Sequence, residues 1–441
     1  MSKKNFLNPT FWAISPILIG ITLLGRSSQN ISQTTYPLVG RELLAMSNAM
    51  IGIVTAAAGI AGILASALLV TRIQVKDRLS VLAIGQALGA VAFALFAISN
   101  TRLELWAGAI ALGTGGGITF PLLMTVIGQG RRTQRSKSLA VFALALSASL
   151  VLGPLIEAGV LHLVHDSLRE TFLILLILPL AATVITLIAA FKSRRETALP
   201  NKQRSTSATE SMAKASSDFT QKTLPSDTEI ASASNYADKD LVTSKRSFRV
   251  ALLTLLTYQA PFVALVAFGG LLARYVDHIS ATGIELSFGL FFTLSFAIRA
   301  LISAKSPIHH SSRVIIGSAL GTMIGIAVVG LTHTTLGFIA GMAILGAPHG
   351  ATFPMASSIL AENTPGRLLG KANGRLMAST NVATVLIPFI CGWLVQEVGY
   401  SQMFLLLEIP VMSFATALII QLFRHPLESI HHPQNVDLDT A

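Results

Sequence analysis

The chain is 441 residues long, 52% apolar and only 12% charged, about half the charge of a soluble protein of that size, which excludes an ordinary water-soluble domain. Its formal charge of +11 would suit nucleic acid if the basic residues formed one face, but they fall in loops between apolar stretches, the topology signal of a membrane protein. The single Cys391 lies in an apolar stretch, which excludes a disulfide framework and a cysteine-based metal site.

The start, Met1-Ser2-Lys3-Lys4-Asn5-Phe6, has no small-residue cleavage pattern after its apolar run, so no cleaved signal peptide is expected. Apolar runs long enough to cross a bilayer as helices, about 20 residues each, fall near 11–38, 50–71, 80–98, 105–127, 139–161 and 171–191. A polar stretch over 192–247, rich in Ser, Thr, Ala and Lys, buries too little surface to offset ordering entropy and reads as a flexible cytoplasmic linker. Six more runs follow near 248–273, 286–303, 314–331, 336–360, 376–395 and 402–422. The expected architecture is all-α, with twelve transmembrane helices. A six-helix bundle over 1–191 and a second over 248–423 are joined by the linker, and 424–441 forms a cytoplasmic tail.

Loop charge sets the orientation. With the N-terminus inside, the inner short loops hold Arg72, Lys76, Arg78, Arg131, Arg132, Arg135, Lys137, Lys305, Arg313, Arg367, Lys371 and Arg375. The outer loops hold only Arg41, Arg102, Arg169 and Arg274. Both termini are therefore expected in the cytoplasm, and the plasma membrane is the expected location.

The two sets of spans repeat one another. Leu112-Gly113-Thr114-Gly115-Gly116-Gly117-Ile118-Thr119-Phe120-Pro121 is echoed by Leu345-Gly346-Ala347-Pro348-His349-Gly350-Ala351-Thr352-Phe353-Pro354, an offset of about 233. Near the same offset Lys137 answers Lys371, Pro154 answers Pro388, and Phe172 and Pro179 roughly answer Phe404 and Pro410. Parallel repeats related by a pseudo-two-fold axis are a way of building transporters, because two related halves can rock about a central site.

Six plus six helices, a polar central loop and a parallel repeat resemble the major facilitator superfamily. Ser149-Leu150-Val151-Leu152-Gly153-Pro154-Leu155-Ile156-Glu157-Ala158 resembles the G-x-x-x-G-P-x-x-G-G motif of that superfamily's drug:proton antiporters, with Glu157 in place of a glycine. The resemblance implies alternating access and favours export of drug-like or amphipathic molecules in exchange for protons. Two departures oppose that finer reading. The loop Val70-Thr71-Arg72-Ile73-Gln74-Val75-Lys76-Asp77-Arg78-Leu79 keeps little of the family's G-x-x-x-D-R-x-G-R-R/K pattern. The segment Leu105-Trp106-Ala107-Gly108-Ala109-Ile110 lacks the arginine tied to proton handling in drug exporters.

Arg26, Gln29, Asn30 and Gln33 follow i, i+3, i+4, i+7 spacing in the first span and share one helix face. A guanidinium inside a span must face protein or water, so the stripe points to a substrate-binding cavity; otherwise the helix ends near Gly25 and the stripe is an outer loop. Glu157 is a proton-coupling candidate, since an apolar setting lets a carboxyl exchange protons near neutral pH; a structural ion pair with Arg26 is the alternative. Tyr258 and Gln259 in the seventh span stand opposite Arg26 by the repeat offset and suit a polar or amphipathic solute. His349 shares a face with Gly346, Gly350 and Phe353 and either binds substrate, carries protons, or is a neutral hydrogen-bonding histidine.

Gly113 and Gly117, like Gly346 and Gly350, have the spacing that lets helices meet closely. With Gly153 and the prolines Pro121, Pro154, Pro348, Pro354 and Pro388 they are candidate hinges, because proline weakens local backbone bonding. There is no P-loop, H-E-x-x-H or G-x-S-x-G pattern, so neither an ATP-driven engine nor an enzyme is expected, and no cofactor or metal is implied. The expected partners are a small-molecule substrate, protons and the lipid bilayer, for a monomer that binds no nucleic acid. The alternatives are a symporter or facilitator for sugars or organic anions and, from another class, a non-transporting receptor or scaffold with a transporter-like fold.

Overall fold

The computed structural model describes residues 9–127, 135–198, 227–304, 311–362, 364 and 366–424. Twelve helical crossings make up these residues. In the first half they are α1 (Pro9–Glu42), α2 (Asn48–Leu64, prolonged by a wide turn over Ala65–Leu69), α3 (Arg78–Ile98), α4 (Arg102–Ile127), α5 (Arg135–Leu163) and α6 (Leu168–Leu175 and Ile177–Ala198). In the second they are α7 (Asp227–Ala264, a wide turn over Leu265–Gly269, then Gly270–Tyr275), α8 (Ala281–Ala304), α9 (Ser311–Leu331), α10 (Thr335–Glu362), α11 (Gly366–Val398) and α12 (Tyr400–Leu406 and Glu408–Arg424).

α1 stays helical through the polar stripe, as the spacing of Arg26, Gln29, Asn30 and Gln33 requires: it runs unbroken to Glu42 and does not end near Gly25, so the stripe lies at mid-span. The expected linker 192–247 is partly helix, since α6 reaches Ala198 and α7 begins at Asp227. These polar ends continue helices that are apolar further in, because propagation needs no new nucleus. The rest of that stretch, 199–226, lies outside the described residues, as do the tail 425–441, the first eight residues and the basic loops 128–134 and 305–310.

The repeat is visible in the packing. α3 lies on α4 and α9 on α10; α2 lies on α4 and α8 on α10; α1 packs on α5 and α6 as α7 packs on α11 and α12. α6 and α12 are interrupted at Leu176 and Leu407, each three residues before a proline, Pro179 or Pro410. A proline lacks the N–H and crowds the carbonyl four residues back, so both helices yield at the same place. Two seams join the halves, α2 against α11 and α5 against α8.

The twin glycine phrase accounts for close helix contacts within each half. A methyl on Gly113 or Gly117 would strike the carbonyl oxygen of Ala58 or Gly62, which seats α4 on α2. On Gly346 or Gly350 it would strike the carbonyl of Phe291 or Ser295, which seats α10 on α8.

Helix hairpins turn at 43–47, 99–101, 164–167, 276–280, 332–334 and 399, all at one end of the bundle, here the hairpin end. Helices begin there on side-chain caps: Ser47 accepts from the Met50 N–H and Ser167 from that of Glu170. Ala45, His165, Asp166, His278 and His333 take positive φ in these short turns, and Gly399 does so at φ 87° and ψ 169°, a region open mainly to glycine. At this end Arg274 meets Glu42 at 2.7 Å, Tyr400 donates to Asn48 at 2.6 Å, and Asp166 accepts from the N–H and hydroxyl of Thr282. Each contact crosses between halves. The hairpin end is closed.

Candidate functional site

The α1 stripe turns toward α4 and α5. Arg26 donates to the Gln29 Oε1 at 2.5 Å and its guanidinium carbon lies 5.5 Å from the centre of the Phe120 ring, a cation–π placement. Its Nε has no partner. Gln29 faces Gly116 of α4. Asn30 points to α5, where it donates to the Ser149 hydroxyl at 3.5 Å, and Ser27 donates to the Ser149 carbonyl. Gln33, one turn on, is exposed. Gly153 makes this approach possible, because its missing side chain leaves room for the Ser27 carbonyl and Asn30.

Arg26 and Glu157 are not partners. Glu157 is 0% exposed and accepts from the Thr35 hydroxyl at 2.5 Å. The same hydroxyl lies 3.5 Å from an oxygen of Glu285, also 0% exposed, across the α5–α8 seam. The Thr35 hydroxyl thus bridges the two carboxyls, and the second oxygen of each has no partner. Neither makes an ion pair among the described residues. With no cation in contact, the pair carries whatever charge its own protons leave it.

In the second half, His349 is enclosed by rings. Its centroid lies 4.5 Å from Phe262, 5.1 Å from Phe291, and 5.6 Å from both Phe292 and Tyr258. Its Nδ1 shares a 2.7 Å hydrogen bond with Ser295. The Tyr258 hydroxyl reaches the Leu345 carbonyl at 3.5 Å, and Gln259 is half-buried beside them. Arg299, one turn beyond Ser295 on the same face of α8, donates to the Ser147 hydroxyl of α5 at 3.2 Å, and its Nε has no partner.

These groups form two layers. Thr35, Glu157 and Glu285 lie about four to seven residues from their hairpin tips, roughly 6–10 Å along the helices. Arg26, Phe120, Gln259, Arg299 and His349 lie about fourteen to eighteen residues in, near mid-span. The sequence pointed to Arg26, Gln29, Gln259 and His349 but not to Arg299, although a lone charge inside an apolar span was the same signal. Glu285 escapes it because the apolar run begins at 286, one residue later, and Thr35, Ser147, Ser149 and Ser295 escape it because isolated hydroxyls carry no pattern.

Pro121, Pro154, Pro348, Pro354 and Pro388 all sit inside helices that continue past them. Thr352 donates to the Pro348 carbonyl and Thr125 to that of Pro121.

The family model described as Major Facilitator Superfamily matches residues 5–308 and 250–436. No curated protein matches the chain in sequence. Among solved structures, the nucleoside transporter NupG superposes with a TM-score of 0.62 at 16% identity, over 92% of this chain and 98% of that one. A POT family transporter in complex with a thioalcohol-conjugated peptide gives 0.66 at 11% identity, over 95% and 96%. A POT family transporter in complex with 5-aminolevulinic acid gives 0.64 at 11%, over 92% and 95%. At these identities the likeness is one of fold.

Proposed function

The chain belongs to the major facilitator superfamily, and on that premise we propose a proton-coupled transporter that carries an amphipathic organic solute by alternating access. One observation carries the coupling: two fully buried carboxyls, one from each half, meet through Thr35 with no cation beside them. A shared proton lets α5 and α8 close against each other. Two carboxylates at that spacing repel in an apolar layer, so loss of the proton opens the hairpin end. The mid-span layer supplies the solute site, with Arg26, Gln29, Gln259, Tyr258 and His349 in contact with the carried molecule and Gln33 and Asn30 lining the approach.

Exchange of solute against protons, with the solute leaving the cell, is the direction favoured by the antiporter-like stretch around Gly153 and Pro154. The basic loops support cytoplasmic termini in a plasma membrane, and the chain works as a monomer. The closely packed glycines at 113, 117, 346 and 350 keep each half rigid while the halves rock.

Purified protein in vesicles tests the coupling. Glu157→Gln and Glu285→Gln should each abolish accumulation driven by a pH gradient while leaving counterflow exchange intact. Unchanged gradient-driven transport in either variant overturns the role of the pair.

A further inference from the structure

The charged residues within the spans are sorted by depth. Glu157 and Glu285 lie near the hairpin end, while Arg26 and Arg299 lie about ten to fourteen residues deeper, roughly 15–21 Å along the helices. Each guanidinium is held only by neutral partners: Gln29 and the Phe120 ring for Arg26, Ser147 for Arg299. Each leaves its Nε unpartnered. A cation buried in a span needs an anion or water to offset lost hydration, and two cations at one depth add mutual repulsion.

Beside Arg299 stands the ring cluster on His349, and below Arg26 the Phe120 ring is 38% exposed at mid-span. A face of aromatic rings next to an unneutralised guanidinium is suited to a flat body that carries a negative group.

We propose that the central space takes an organic anion with a flat apolar body, its charged head held by Arg299 and Arg26 and its body laid against Phe262 and His349. The proposal rests on the carrier reading above and names the substrate class for it. Arg299 presents a planar fork to a carboxylate, and Arg26 completes the neutralisation from the opposite half. The ligand thereby joins the two halves at mid-span, where no protein ion pair does so among the described residues.

Thermal melting of the purified protein at fixed pH, without any gradient, reads this directly. Naphthalene-2-carboxylate should raise the melting temperature in a saturable way. The neutral naphthalene-2-carboxamide, which keeps the body, and sulfate, which keeps only the charge, should each need at least tenfold higher concentration. Arg299→Gln and Arg26→Gln should each weaken naphthalene-2-carboxylate at least tenfold, and Arg299→Lys should restore part of that loss. Equal shifts from the carboxylate and the carboxamide in the wild-type protein, or undiminished carboxylate binding in both glutamine variants, overturn the anion site. An equal shift from sulfate overturns the flat body. The wild-type comparison stands even if a variant fails to fold. Glu157→Gln should still bind the carboxylate, so failure of proton coupling and failure of the anion site give different results.

Discussion

Gly52 of α2 and Gly392 of α11 face each other across one seam between the halves. A methyl on Gly52 would come within 3.0 Å of the Gly392 Cα and strike the Pro388 carbonyl oxygen. By the repeat offset, the position of Gly52 in the first half is that of Glu285 in the second. One seam is thus backbone against backbone, and its symmetry mate holds a buried carboxyl pair. Because the glycine seam has no slack, Gly52→Val should be felt at once. We expect a loss of about 1–3 kcal/mol in stability, as for other overpacked contacts, together with loss of most transport, checked by thermal melting and vesicle uptake. Wild-type melting and uptake in this variant would show that the seam can part at little cost.

Asp166 reaches from the α5–α6 turn to the start of α8, where it accepts from the Thr282 N–H at 2.8 Å and its hydroxyl at 2.6 Å. It caps a helix of the other half. Asp166→Ala should cost about 1 kcal/mol, as other cap losses do, and should speed hydrogen exchange in the first turn of α8. Exchange as slow as in the wild type would remove Asp166 from the closure.

Arg274 and Glu42 pair at 2.7 Å on the rim, both partly solvated. Such pairs contribute roughly 0.2–1 kcal/mol and are screened by salt. Glu42→Gln should lower the melting temperature slightly in dilute buffer, and the difference should vanish near 1 M salt. A deficit that persists there would mean the pair acts through packing.

Asp277, in the α7–α8 turn, is pushed from its ordinary 3.8 up to about 6, chiefly by burial, with His333 and His278 nearby pulling the other way. The folded turn therefore binds the proton more tightly than the unfolded chain does. This contribution to stability is complete below about pH 4 and is lost as pH rises through 6. After solvent screening at the rim it is of order 1 kcal/mol. Asp277→Asn should flatten the fall in melting temperature between pH 4 and 7; an unchanged slope would assign it to other groups.

Much of the fold was legible because the bilayer imposes length and hydropathy on every span, and because duplication wrote the pattern twice. The polar start of α7 was not, since the run from Asp227 carries no apolar periodicity that would mark it as helix. At the site, Arg26 and His349 stood out as polar groups in apolar runs. The meeting of Glu157 with Glu285 did not, because contacts between helices 128 positions apart depend on how the halves dock.

The depth ordering of acids and arginines has one further consequence. A proton that enters from the hairpin end meets the carboxyl pair first, whereas one from the opposite end must pass the arginine layer and whatever occupies it. Under the proposed coupling, cargo and proton would meet two stations in a fixed order along the same helices. A loaded arginine layer would then stand between the carboxyl pair and the opposite end, and exchange would be ordered by position without a dedicated relay between the two sites.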